Sequence, residues 1–197
     1  MWIHEGFCTY SEALYVDCIY GADTALKYCN AWKMLVENDK PIIGDYGVNN
    51  DGSSDMYNKA ALMLHTLRWL VNDDKKWVAT IKNIQKNFRF KTVSGDEIIA
   101  YMNTQLGKDY TWLFNQYLKK ASPPVLNYQV EQKGKDLEVT MKWDKVDDDF
   151  CLPVTIIISS KKCNTVIITN RPQTFTIKKM KLKDFKVDEK HSYFLKK

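Results

Sequence analysis

The chain has 197 residues, enough for one sizeable core or two small ones. Its hydrophobic content of 45% and aromatic content of 13% exclude a disordered polymer, and no apolar run approaches the ~20 residues of a membrane-spanning helix. The net charge of +5 is uneven: residues 1–122 carry 14 basic against 14 acidic side chains, and residues 123–197 carry 15 against 10. That split predicts two modules with different surfaces.

Residues 5–20 read as a helix, with Phe7, Tyr10, Leu14, Tyr15, Val16 and Ile19 at helical spacing and Gly21 as its stop. A second helix is predicted over 23–36, with Leu26, Trp32 and Leu35 on its apolar side. Residues 38–55 are rich in Gly, Pro, Asn and Asp and read as a long loop, a length that often serves function. Ser54 or Asp55 can cap a strongly apolar third helix over 56–71. A fourth helix follows over 73–88 with Trp77, Ile81, Ile84 and Phe88 at helical intervals. Ser94 and Glu97 form a capping-box pattern before a fifth helix that ends near Gly107, and Asp109 can cap a sixth.

Pro123-Pro124 ends the helical region, and beyond it the apolar period changes from 3.6 to 2. Leu126, Tyr128 and Val130 alternate with polar residues, as do Leu137, Val139, Met141 and Trp143, with a hairpin turn at Lys133-Gly134-Lys135-Asp136. Further strands are predicted at 152–158, 164–169, 173–178 and 191–195. The fold expected is multidomain: a helical bundle over 1–122, then a small antiparallel β-sandwich over 123–197.

Five cysteines, with no C-x-x-C pair, support neither a zinc ribbon nor a redox motif. Cys8, Cys18 and Cys29 are expected as buried free thiols, and a Cys151–Cys163 disulfide stays open. The lysine-rich end from Lys178 to Lys197 is interrupted by Asp184, Asp188 and Glu189. It reads as a solvated, edge-protecting face, and no nucleic-acid partner is expected. His65 reads as a structural histidine. No signal peptide is visible, the reading is of a soluble protein, and the compartment is open.

His4-Glu5-Gly6-Phe7-Cys8 is not the zincin motif H-E-x-x-H, because Cys8 stands where the second histidine must. The wider pattern Trp2-x-x-Glu5-Gly6-Phe7-x-x-Tyr10-x-Glu12 resembles the W-x-x-E-G-F-x-x-Y-x-E segment of the peptidase M1 family, the gluzincin zinc aminopeptidases. Asp55-Met56-Tyr57-Asn58-Lys59-Ala60 resembles that family's Y-x-K-G segment, with Ala60 in place of the usual Gly. The resemblance implies the C-terminal portion of a zinc-dependent metallopeptidase acting on peptides. Glu5 would be the third zinc ligand and Tyr57 the donor to the transition-state oxyanion. Glu12 matches the segment without an assigned role, and His4 stands where the family often has Asn or Asp.

No H-E-x-x-H occurs in the 197 residues, nor the family's G-x-M-E-N segment. The resemblance places those parts before Met1, in a missing N-terminal catalytic half. One carboxylate cannot hold zinc tightly, so the isolated chain is expected to be inactive and without tightly bound metal. The alternative is a non-catalytic module, derived from a peptidase, that binds a peptide or protein through Tyr57 and the 38–55 loop.

Overall fold

The computed structural model describes residues 1–44, 47, 52–159 and 162–197. Among these, six α-helices precede seven β-strands. The chain divides into two compact units, Met1–Ala121 and Ser122–Lys197. The architecture is therefore helical first and β-rich second.

In the first unit, helix α1 spans Trp2–Tyr20 and buries Trp2, Gly6, Tyr10 and Ala13. This stripe differs from the expected one. Tyr15 and Ile19 face solvent, and Phe7, Leu14 and Val16 are only half-buried. The reason is proximity: small residues take the inner side where α1 lies close against α3. Gly21, at φ 84°, ends α1 by donating its N–H to the Asp17 carbonyl at 3.0 Å. Helix α2 spans Ala22–Ala31 and tightens into a 3₁₀ turn over Trp32–Leu35. Trp32 is buried as expected, but Leu35 is exposed, because the tighter turn rotates it off the inner face.

Helix α3, Asn58–Val71, is the centre of this unit. Ala60, Ala61, Leu62, Met63, Leu64 and Leu67 are all buried, and α1, α4 and α6 pack around it. Helix α4 spans Asp74–Asn87, with the Asp73 carboxylate accepting from the Lys76 N–H. Helix α5 spans Gly95–Leu106. It opens with the full Ser94/Glu97 capping box and ends at Gly107, φ 72°. Helix α6 spans Thr111–Lys119, its first N–H bonded to the Asp109 carboxylate at 2.8 Å. Of the expected 38–55 loop, residues 45, 46 and 48–51 lie outside the described residues. Its described part is anchored: Ile42 is buried, and the Ile43 N–H donates to the Leu118 carbonyl at 2.9 Å.

The second unit holds two sheets. Strands β1 (Val125–Lys133) and β2 (Asp136–Asp144) form the expected antiparallel hairpin, with Gly134 at φ 63° in its turn. Strand β5 (Gln173–Ile177) pairs antiparallel with β2, and β7 (Leu195–Lys196) pairs with β1. The sheet order is β5-β2-β1-β7. The second sheet is ordered β4-β3-β6, from β3 (Pro153–Ser159), β4 (Lys162–Ile167) and β6 (Lys186–Val187). Along β2, Leu137, Val139, Met141 and Trp143 are buried and alternate with more exposed residues, as predicted. Trp143 ties β2 to the segment leading into β3: its indole N–H donates to the Leu152 carbonyl at 2.9 Å, and its ring meets Phe150 and Phe194 edge-on.

Three expectations need correction here. The β1–β7 pair is parallel, so the first sheet is not wholly antiparallel. The strand expected over 191–195 shrinks to Leu195–Lys196, because Ser192, Tyr193 and Phe194 are buried in the core instead. Cys8 and Cys18 are exposed, not buried, and Cys151 and Cys163 are not joined in a disulfide. Cys163 pairs across the ladder with Ile157, six positions beyond Cys151. In extended chain that is about 20 Å, far beyond the ~7 Å Cα separation a disulfide tolerates.

Candidate active site

The residues singled out in the sequence lie where α1 crosses the start of α3. Helix α1 is fixed there at four positions, Trp2, Gly6, Tyr10 and Asp17. Trp2, almost fully buried, has its ring 6.1 Å from those of both Phe7 and Phe114. A Cβ on Gly95 would come within 3.2 Å of the Trp2 indole nitrogen, so the glycine makes room for this anchor. One turn later, a Cβ on Gly6 would stand 2.6 Å from the Ala60 Cβ and 3.4 Å from the Met56 carbonyl oxygen. The helices are therefore as close as a glycine permits. Tyr10 then meets Trp77 edge-on at 5.9 Å. Burial pushes the Tyr10 hydroxyl well above its ordinary pKa, and the nearby Arg68 works against that shift. Finally, Asp17 accepts from the Arg68 guanidinium at 2.8 Å, and Asp74 of α4 accepts from the same group at 2.7 Å.

These contacts explain most of the first motif by packing. Trp2, Gly6 and Tyr10 share the inner face. Glu5 is on the adjoining face, half-buried, and immediately precedes the close-contact glycine. His4 is exposed. Glu12, for which the sequence offered no role, accepts a hydrogen bond from the Tyr28 hydroxyl at 2.7 Å.

The second motif follows a 3₁₀ turn over Ser54–Met56. Neither Ser54 nor Asp55 caps that turn. The buried Ser53 hydroxyl does so, accepting from the Asp55 N–H at 3.2 Å while donating to Asp39 at 2.8 Å. That bond holds the Asp39 carboxyl below the usual range. Asp55 is instead turned inward, fully buried, and accepts from the backbone N–H groups of Glu37 and Asn38 at 2.8 and 2.9 Å. Tyr57 precedes α3, with φ −84° and ψ −80°, and is 41% exposed. It sits three residues before Ala60, so the Gly6–Ala60 contact brings its segment against that of Glu5.

Lys59, matched in the sequence only as the Lys of the Y-x-K-G segment and given no role, is the feature that the structure adds. It is fully buried and donates to the Lys120 carbonyl at 3.0 Å and to that of Ala121. It also pairs with Asp55 at 3.8 Å. Burial pushes its pKa down to about 8, against the opposing pull of Asp55 and then Asp39. The signal was present in the sequence: an Asp and a Lys four apart, with the Lys heading the run Ala60-Ala61-Leu62.

Among the described residues, no three or more His, Cys, Asp or Glu side chains come together in a way that could hold a metal. Glu5 offers one carboxylate, and the described residues do not build a zinc site around it. No helix among them is long and apolar enough to cross a membrane.

No family model and no curated protein matches the sequence. Among solved structures, the chain is similar to aminopeptidase A of Legionella pneumophila, whose crystal structure is a complex with aspartic acid. The TM-score is 0.65 at 13% identity, over 89% of this chain and 21% of that one. The chain thus spans about a fifth of the length of the aminopeptidase whose fold it shares.

Proposed function

We propose that this chain is the C-terminal part of an M1-type zinc aminopeptidase. Glu5 is its third zinc ligand, and Tyr57 donates a hydrogen bond to the oxyanion formed at the scissile carbonyl. The observation that carries this reading is the Gly6–Ala60 contact, which seats the Glu5 segment against the Tyr57 segment at the closest approach of α1 and α3. Glu5 and Tyr57 both retain solvent exposure there, as groups that meet a metal and a substrate require. The likeness in fold to an aminopeptidase agrees with it.

The zinc site needs two histidine ligands and a general-base carboxylate from outside this chain. Tyr15, Ile19, Met34 and Leu35, all exposed on the first unit, are suited to covering by such a partner segment. In the complete protein a peptide would be the substrate, and the isolated chain would be inactive.

The deciding experiment reads the coding DNA upstream of the Met1 codon. An in-frame His-Glu-x-x-His is expected. In the longer protein, Glu5→Gln should then release zinc, whereas Tyr57→Phe should keep zinc and lower kcat by about 100-fold or more. Unrelated sequence upstream would end this reading. A partner search with the 197-residue chain would then test the non-catalytic peptide-binding alternative.

A further inference from the structure

We propose that Asp55 and Lys59 form a buried clamp that positions Tyr57, joining three separate stretches of chain at one point. The inference rests on the reading of Tyr57 as the residue with a chemical task. Tyr57 lies midway between the two charged residues in sequence, at the junction between a 3₁₀ turn and α3. Backbone bonds continue through the junction, the Tyr57 N–H donating to the Ser54 carbonyl at 3.2 Å and its carbonyl accepting from the Ala61 N–H at 3.0 Å, but Tyr57 has ψ −80°, outside helical geometry, and its ring is partly in solvent.

The flanking residues supply the restraint. On one side, both carboxylate oxygens of Asp55 are used, one on the Glu37 N–H and one on the Asn38 N–H, which fixes the turn to the chain leaving the 3₁₀ segment after α2. On the other side, the Lys59 ammonium holds the Lys120 and Ala121 carbonyls, which fixes the start of α3 to the chain leaving α6. The 3.8 Å ion pair ties the two anchors together, and neither side chain is exposed to water. Two fully buried charges are costly unless paired and hydrogen-bonded, and here each is both. Tyr57 therefore sits on a short bridge between fixed posts. Asp39 is the other charged group acting on Lys59, and it bonds Ser53 in the same turn.

Because the Lys59 pKa is about 8, the clamp loses its positive charge within an accessible range, and the position of Tyr57 should respond. The test uses the full 197-residue chain with ring-¹³C tyrosine, followed by NMR from pH 6.5 to 9. The Tyr57 signal, one of 11 tyrosines, is identified by its loss in Tyr57→Phe. The expected result is a Tyr57 shift with a midpoint near pH 8 that vanishes in Lys59→Met. That variant should also displace or broaden the Tyr57 signal while leaving Tyr10 in place. A Tyr57 signal identical in Lys59→Met and wild type would overturn the clamp, as would a pH step that survives the substitution. Should Lys59→Met fail to fold, Asp55→Asn, which removes the ion pair from the other side, decides by the same signal, and a Tyr57 resonance unmoved by it refutes the proposal. This readout is blind to zinc and peptide, so the clamp and the aminopeptidase reading can fail separately.

Discussion

Replacing Gly6 by Ala should destabilise the first unit, and moving the methyl across the interface should restore it. The new Cβ would stand 2.6 Å from the Ala60 Cβ, 0.8 Å inside the 3.4 Å at which ordinary contact begins. Neither carbon belongs to a flexible side chain, so α1 and α3 must part or tilt. Overpacking of this kind costs roughly 1–3 kcal/mol, and the close approach argues for the upper half of that range. Ala is better than Gly in a helix by about 1 kcal/mol, which leaves a net loss of about 1–2 kcal/mol. In Gly6→Ala/Ala60→Gly the propensity terms cancel and the clash disappears, so the double variant should lie within ~0.5 kcal/mol of wild type. Urea unfolding followed by tryptophan fluorescence reports on this unit, because Trp2, Trp32, Trp69, Trp77 and Trp112 lie in it and only Trp143 does not. With a slope of ~2 kcal/mol per molar, mid-range for a small protein, the single variant should lose roughly half to one molar in midpoint. An unchanged midpoint for Gly6→Ala, or a double variant no better than the single, would refute the packing argument.

The remaining predictions concern charge and thiol chemistry. With an Ellman-type reagent at pH 8, Cys8, Cys18 and Cys163 should react quickly, while buried Cys29, its thiol pushed up to about 12, should react only on unfolding. Arg68→Lys should cost about 1 kcal/mol by urea unfolding, since one ammonium cannot reproduce the fork that reaches Asp17 and Asp74 together; equal stability would refute that role. Lys59 has a lower pKa folded than unfolded, so between pH 8 and about 10 the unfolded chain holds a proton that the folded chain lacks. Its contribution to stability should therefore rise with pH across that window and be flat below it. The wild-type slope minus that of Lys59→Met measures this directly.

The parts of the fold set by neighbours in sequence were legible. The Ser94/Glu97 box, the stops at Gly21 and Gly107, and the alternation of Leu137 to Trp143 each depend on residues a few positions apart. What escaped depends on distant partners. The inner face of α1 is marked by Gly6 and Ala13, which carry little hydrophobic signal, and it is chosen by the proximity of α3. Strands β6 and β7 have two residues each, too few to show a period, and exist because β3 and β1 offer free edges. At the candidate site, the motifs mark the Glu5 and Tyr57 segments, and those segments meet through Gly6 and Ala60. The bonds from Asp55 to residues 37 and 38, and from Lys59 to 120 and 121, link positions too far apart for any local pattern to reveal.

The parallel pairing of β7 with β1 has a consequence for which sheet edge the second unit leaves open. The Leu195 N–H bonds to the Pro124 carbonyl at 3.0 Å, and the Lys197 N–H to that of Leu126 at 3.0 Å. The start of β1 and strand β7 therefore lie on neighbouring strands, one ladder spacing apart. Leu195 and Lys196 thereby cover the Val125–Leu126 stretch of the β1 edge, which would otherwise be open to pairing with other chains.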